Sequence, residues 1–180
     1  LTIGTPIAGS VTLTASSGIA YDWYNGSIAV DTFTTFKPSS SGNYNVKATN
    51  AVGCTVSSAA IAIQTVNVTK GWNLISFNLH PVDSSIATLC NGIDVLEIKN
   101  MDAFWHKGQN AVFNSLSHLT TGTGYFVYMN TAGMISLTGR QSTMGIGTLK
   151  TGWNLIGCPF QIPITFNTYF STANCTLIKN

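Results

Sequence analysis

Three aromatic residues are the best chemical material in this sequence: Trp105 in "DAFWHKG", and Tyr125 and Tyr128 in "GYFVYM". An exposed indole or phenol ring can stack on the apolar face of a sugar while amides and hydroxyls hold its edge. The chain is rich in Asn, Gln, Ser and Thr, which suits that use. Trp105 also has Asp102, His106 and Lys107 beside it. Ligand binding is therefore assigned to Trp105, Tyr125 and Tyr128. The competing reading places Trp105 and Tyr125 in a core, where Trp23, Trp72 and Trp153 are also expected. Residues three apart on a strand face opposite sides, so Tyr125 and Tyr128 part company if the segment is extended.

Other chemistries find little support. His80, His106 and His118 show neither an HxxxH nor a His–carboxylate spacing. No serine lies in a G-x-S-x-G elbow, and no cysteine has an evident base partner. Cys54, Cys90, Cys158 and Cys175 form no CxxC pair, which removes the usual zinc and redox patterns. They suit an oxidising compartment, as disulfides or as free, buried thiols. The expectation is no catalytic residue, no metal, no cofactor and no enzyme activity.

Composition narrows the partners. Only 8% of the 180 residues are charged, against roughly 25% in ordinary soluble domains. The net charge of +2 comes from scattered basic residues without a cluster, so nucleic acid is not an expected partner. No apolar run approaches the roughly 20 residues of a spanning helix, so membrane insertion is not expected either. The first residue is Leu1 and no signal sequence is visible, so the chain reads as a mature or excised piece of something longer.

The elements that must position the aromatics are strands. In "SVTLTA", Val11 and Leu13 share a face; in "IAYDWYNG", Tyr21 and Trp23 do, before a tight turn at Asn25-Gly26. Tyr44, Val46 and Ala48 alternate inward, and Ile61 and Ile63 mark a last strand before residue 65. Turn signals about every ten residues predict a small antiparallel sandwich over residues 1–65. Trp23 and "SGNYNV", with Tyr44 as a tyrosine corner, resemble immunoglobulin-like folds. The pattern "GSVTLTAS…YDWYNG…SGNYNVKATNAVGC" resembles the Ig-like and PKD-like repeats of large surface and secreted proteins of Bacteroidota. In those repeats the cysteine matching Cys54 often pairs with one just before the first strand. Here that region reads "TPIAGS".

Residues 66–180 follow a different grammar. "KGWNLISFNL" at 70–79 returns as "TGWNLIGCPF" at 151–160, an offset of 81 residues between Gly71 and Gly152. "EIKN" at 97–100 meets "LIKN" at 177–180, so one deletion aligns the copies. Copy one spans 66–146 and copy two, which looks cut off, 147–180. A strand is expected at "WNLISFNL" and a short helix at "SSIATLCNGI", capped by Ser84 or Ser85. Strands follow at "VLEIKN" and "AFWHKG", a helical turn after Asn114 or Ser115, and a hairpin from "YFVYMN" and "MISLTG". A glycine before a large aromatic permits a bend, and an asparagine can satisfy backbone groups there. The second GWNLI strand is expected to complete the sheet of copy one, so that deleting 151–180 unfolds 66–150.

The layout "GWNLIS…W…GTGYFVYM…GWNLIG" is similar to repeat modules near the C-terminal parts of secreted bacterial adhesins and polysaccharide-degrading enzymes. The expected fold is mainly all-β: an Ig-like β-sandwich followed by a β-rich repeat module with one or two short helices. The resemblance implies an extracellular or cell-surface location and type IX export. It also implies adhesion or spacing, with a glycan or cell-surface ligand as partner. An accessory carbohydrate-binding module of a secreted hydrolase, or a fibre subunit self-associating through the incomplete repeat, are the alternatives.

Overall fold

A computed structural model describes residues 11–142, 148–160, 165, 170 and 175–179. The "TPIAGS" stretch before residue 11, the start of copy two at 147, most of 161–174 and Asn180 lie outside them. The protein is all-β, built from antiparallel sheets with almost no helix.

Among the described residues the largest sheet has seven strands. Its order is β3 (Ile28–Asp31), β2 (Ala20–Asn25), β5 (Gly42–Thr49), β7 (Ile61–Val68), β13 (Gly133–Gln141) and β9 (Leu79–Pro81), with β6 (Thr55–Ser57) beside β5. A two-stranded sheet pairs β1 (Leu13–Thr14) with β4 (Thr35–Phe36). A four-stranded sheet has the order β11 (Phe104–His106), β10 (Val95–Lys99), β12 (Gly124–Met129) and β8 (Gly71–Ser76).

Two cores result. The smaller gathers Val11, Leu13, Trp23, Tyr44, Val46 and Ile63. The alternation expected of this segment is the observed one, because every second residue of β2 and β5 points to the same layer. Phe36 packs against both rings, 5.8 Å from Trp23 and 5.5 Å from Tyr44 between centroids. Both polar handles are satisfied: Trp23 Nε1–H donates to the Phe33 carbonyl, and Tyr44 Oη–H to the Ser40 carbonyl. The larger core joins Ile75, Ile98, Tyr125, Val127 and Met129 to Leu79, Ile135 and Leu137. β7 runs through position 65 and serves both cores, with Ile63 in one and Val68 in the other.

Three local expectations are corrected. "YFVYMN" and "MISLTG" form β12 and β13 but no hairpin: the chain crosses between sheets, and Val127 and Leu137 meet across the core instead of pairing edge to edge. "WNLISFNL" is broken after Ser76, where the chain passes from the four-stranded sheet to β9. Gln64 clamps that crossing, donating from Nε2 to the Ser76 carbonyl while Oε1 accepts from Asn78 N–H. The helical turn expected at Asn114 or Ser115 lies earlier, a 3₁₀ turn at Ala111–Phe113 capped by Asn110. Asn114 and Ser115 instead accept backbone N–H groups of His106 and Phe104, tying this loop to β11. The short helix α1 (Ile86–Leu89) has Ser85 as its N-cap, as expected.

Candidate aromatic face

The GWNLI repeat builds a corner. Gly71 has φ +93°, a conformation that side-chain-bearing residues rarely adopt. Asn73 then folds back over it. Its Oδ1 accepts from Thr69 N–H at 2.8 Å, while Nδ2 donates to the Thr69 and Gly71 carbonyls at 2.8 and 3.0 Å. This corner carries the chain from β7 in the seven-stranded sheet to β8 in the four-stranded one.

Once the corner is set, the pleat decides which side chains of β8 face out. Ile75 points into the core; Trp72 and Leu74 point to solvent, 47% and 48% exposed. Trp72 was expected in the core and is not there, because the inward position one turn before Ile75 is used by Asn73 to close the corner. Trp153 departs from the same expectation and is 66% exposed. Trp23 alone of these three is buried.

The registers of the four strands extend this outer face. Trp72 lies opposite Tyr128, Tyr128 opposite Glu97, and Glu97 opposite His106. In the next row Leu74 lies opposite Phe126, Phe126 opposite Lys99, and Lys99 opposite Phe104. Phe104 and Phe126 are exposed, and Tyr128 is half-buried. Trp72 and Tyr128 make an edge-to-face pair with centroids 5.2 Å apart. Lys99 reaches across β12 to place Nζ 4.1 Å from the Trp72 ring centroid, and it pairs with Glu97 at 3.1 Å. The outcome is an aromatic patch on one sheet face with one lysine–glutamate pair set into it.

The three residues singled out by sequence separate. Tyr128 is on this face. Tyr125 is a core residue, 1% exposed, whose hydroxyl accepts from Thr120 N–H at 2.7 Å. Trp105 lies opposite Ile98 on β11, so its ring turns inward and packs, half-buried, against the larger core. Trp72, Leu74, Phe104, Phe126 and Lys99 were missed. The signal for Phe126 and Tyr128 was the period-two phase of "GYFVYM", but apolar residues on both faces of that strand conceal it.

Other chemistry is sparse among the described residues. No group of three His, Cys, Asp or Glu side chains is placed to hold a metal ion. Asp83 and Asp94 hold their protons below the usual carboxylate range, chiefly through hydrogen bonds from Thr88 and Asn130 respectively. Both serve local structure, Asp83 beside the cap of α1 and Asp94 between Lys107 and Asn130. All four cysteines are free thiols. Among the described residues, no helix is long and apolar enough to cross a membrane. Compared with protein-family models, curated proteins and solved structures, the chain has no match.

Proposed function

We propose that this chain is a non-catalytic fragment of an extracellular protein, cell-surface or secreted, that adheres through carbohydrate held on the outer face of β11, β10, β12 and β8. The observation that carries this reading is the two adjacent rows of outward Trp72, Leu74, Phe104, Phe126 and Tyr128 on one face of one sheet. A folded chain gains by burying such residues, and here they stay in water. Aromatic rings beside ammonium and carboxylate groups suit a pyranose, which offers an apolar face and a rim of hydroxyls. The resemblance to surface and secreted repeats of Bacteroidota supports an extracellular role and implies type IX export, with an accessory carbohydrate-binding module of a secreted hydrolase as the alternative.

The test is retention on a panel of soluble polysaccharides and glycans, for the wild type beside Trp72→Ala and Tyr128→Ala. Both side chains point outward but share an edge-to-face pair, and Trp72 also the Lys99 contact, so each substitution should cost about 1–2 kcal/mol and leave a folded chain. Binding that disappears in both supports the reading. A wild-type chain that binds nothing in the panel sinks it.

A second reading, self-association through the second GWNLI copy, rests on Ile156 and Ile178. They are 36% and 44% exposed, whereas their counterparts Ile75 and Ile98 are buried. Light scattering over a concentration series distinguishes the two, because a ladder of sizes belongs only to self-association.

A further inference from the structure

We infer that Trp153 is a second carbohydrate-stacking site, built by the same corner as Trp72, and that the chain therefore engages a polysaccharide at two points. This inference rests on the carbohydrate reading above.

The two corners match in backbone and in side-chain bonding. Gly152 has φ +93°, the value found at Gly71. Asn154 Oδ1 accepts from Lys150 N–H at 2.8 Å, and Nδ2 donates to the Lys150 and Gly152 carbonyls at 2.8 and 3.0 Å. Each corner also carries one lysine and one threonine just before its glycine, in "TKGWN" and "KTGWN". A ring on such a locked turn is pre-organised, so less freedom is lost when a ligand stacks on it.

The fold accounts for the neighbours of Trp153 and not for Trp153 itself. Gly157 lies so close to copy one that an added Cβ would sit 2.5 Å from Ser76 Cβ. Leu155 sits close over Gly124. Gly157 N–H donates to the Gly122 carbonyl at 2.7 Å, and Asn78 Nδ2 to the Phe160 carbonyl at 2.9 Å. Trp153 belongs to neither core and is more exposed than Trp72. Trp72 has Lys99 against its ring; the counterpart of Lys99 is Lys179, which is exposed. The indole of Trp153 is thus held on an anchored segment with most of its surface in water. The ligand class that fits is a pyranose, with the Lys150 ammonium to meet a hydroxyl or the carboxylate of a uronic acid.

The experiment titrates the intact chain with a neutral β-glucan, xylan and polygalacturonate, each as polymer and as hexasaccharide, against Trp72→Ala, Trp153→Ala and Trp153→Tyr. The expected hexasaccharide stoichiometry is two per chain, falling to one in either alanine variant. Affinity for the polymer should fall about 100-fold in each, since the second contact is then no longer intramolecular. Trp153→Tyr should keep both sites, which separates stacking from damage to the fold. A stoichiometry of one in the wild type overturns the inference, as does a Trp153→Ala chain that binds like wild type while Trp72→Ala fails. In those cases the carbohydrate reading of the sheet stands alone. If the wild type binds none of the three polymers, both fall together.

Discussion

Asn154 repeats the three backbone hydrogen bonds of Asn73, although Asn73 alone also accepts from the Thr69 hydroxyl and the two residues enter different surroundings. Asn73 lies within β8, which pairs along its length with β12. After Asn154, among the described residues, the chain makes one bridge, Ile156 to Thr123. The corner is therefore a local device, fixed by Gly and Asn, and its sheet partner does not dictate it. Asn73→Ala should lower stability by about 1–2 kcal/mol, because the Thr69 and Gly71 backbone groups lose their partners at the corner that starts β8. Asn154→Ala should change the global melt by less than about 1 kcal/mol. Paired denaturant titrations check this, and equal losses would mean that the second corner is part of the cooperative unit.

Truncation tests the same point from outside. Completion of copy one by the second GWNLI strand was the expectation, and the contact is real but slight. Gly157, Cys158 and Phe160 hydrogen-bond to Gly122, Ser76 and Asn78, yet among the described residues the larger core draws none from 151–160 or 175–179. Removing residues 151–180 should leave a cooperative thermal transition, lowered by about 1–3 kcal/mol for the lost hydrogen bonds. A chain that loses its cooperative melt would restore the stronger expectation.

Much of the smaller core was legible in the sequence. Trp23, Tyr44 and Val46 stand on strands with one apolar and one polar face, so period two reveals their direction. The bend at Gly71 and the bonding role of Asn73 were also readable, because both follow from residue type alone. The aromatic face was not. In β12 apolar residues occupy both sides, and only the sheet partners settle that Tyr125 is inside and Phe126 outside. The crossing of β12 and β13 between sheets was hidden for a related reason. Two adjacent strands with a short connection read as a hairpin, and nothing local states that each has already found partners in a separate sheet.

Tyr44 supplies a test of the smaller core. Its ring is buried, and its hydroxyl donates to the Ser40 carbonyl at 2.7 Å while accepting from Asn25 Nδ2 at 3.2 Å. Tyr44→Phe keeps the ring and removes these bonds together with the 3.0 Å hydrogen bond to Ser40 Oγ, so about 1–2 kcal/mol should be lost. Tyr44→Ala should cost about 3–5 kcal/mol through the cavity it leaves beside Phe36. Equilibrium unfolding of both variants measures the difference; near-equal values would mean that the hydroxyl, and not packing, dominates there.

Inverting Trp105 and Phe104 in importance gives a further test. Trp105→Ala removes a ring packed on the larger core and should destabilise by about 2–4 kcal/mol. Phe104→Ala removes an outward ring and should stay within about 1 kcal/mol. Polysaccharide retention should show the reverse order, with Phe104→Ala weakened and a folded Trp105→Ala chain unaffected. Retention lost in Trp105→Ala at full foldedness would move the site to the edge formed by β11.

Cys90 links pH to stability. Its thiol packs against the larger core, and burial pushes it up to about 12 from 9.0, while Lys107 pulls weakly in the other direction. In the unfolded chain the thiol ionises near pH 9, whereas in the folded protein it stays protonated to about 12. The unfolded state therefore binds fewer protons across that window, and folding stability falls as pH rises from about 9 to about 12. Below pH 9 this contribution is fully present. Cys90→Ala should flatten the decline, seen as a smaller loss of melting temperature between pH 8.5 and 10.5. At pH 8, a thiol reagent should label exposed Cys54 and Cys158 quickly and the part-buried, weakly ionised Cys90 more slowly. Rapid labelling of Cys90 in the folded chain would show that its surroundings are not closed to solvent.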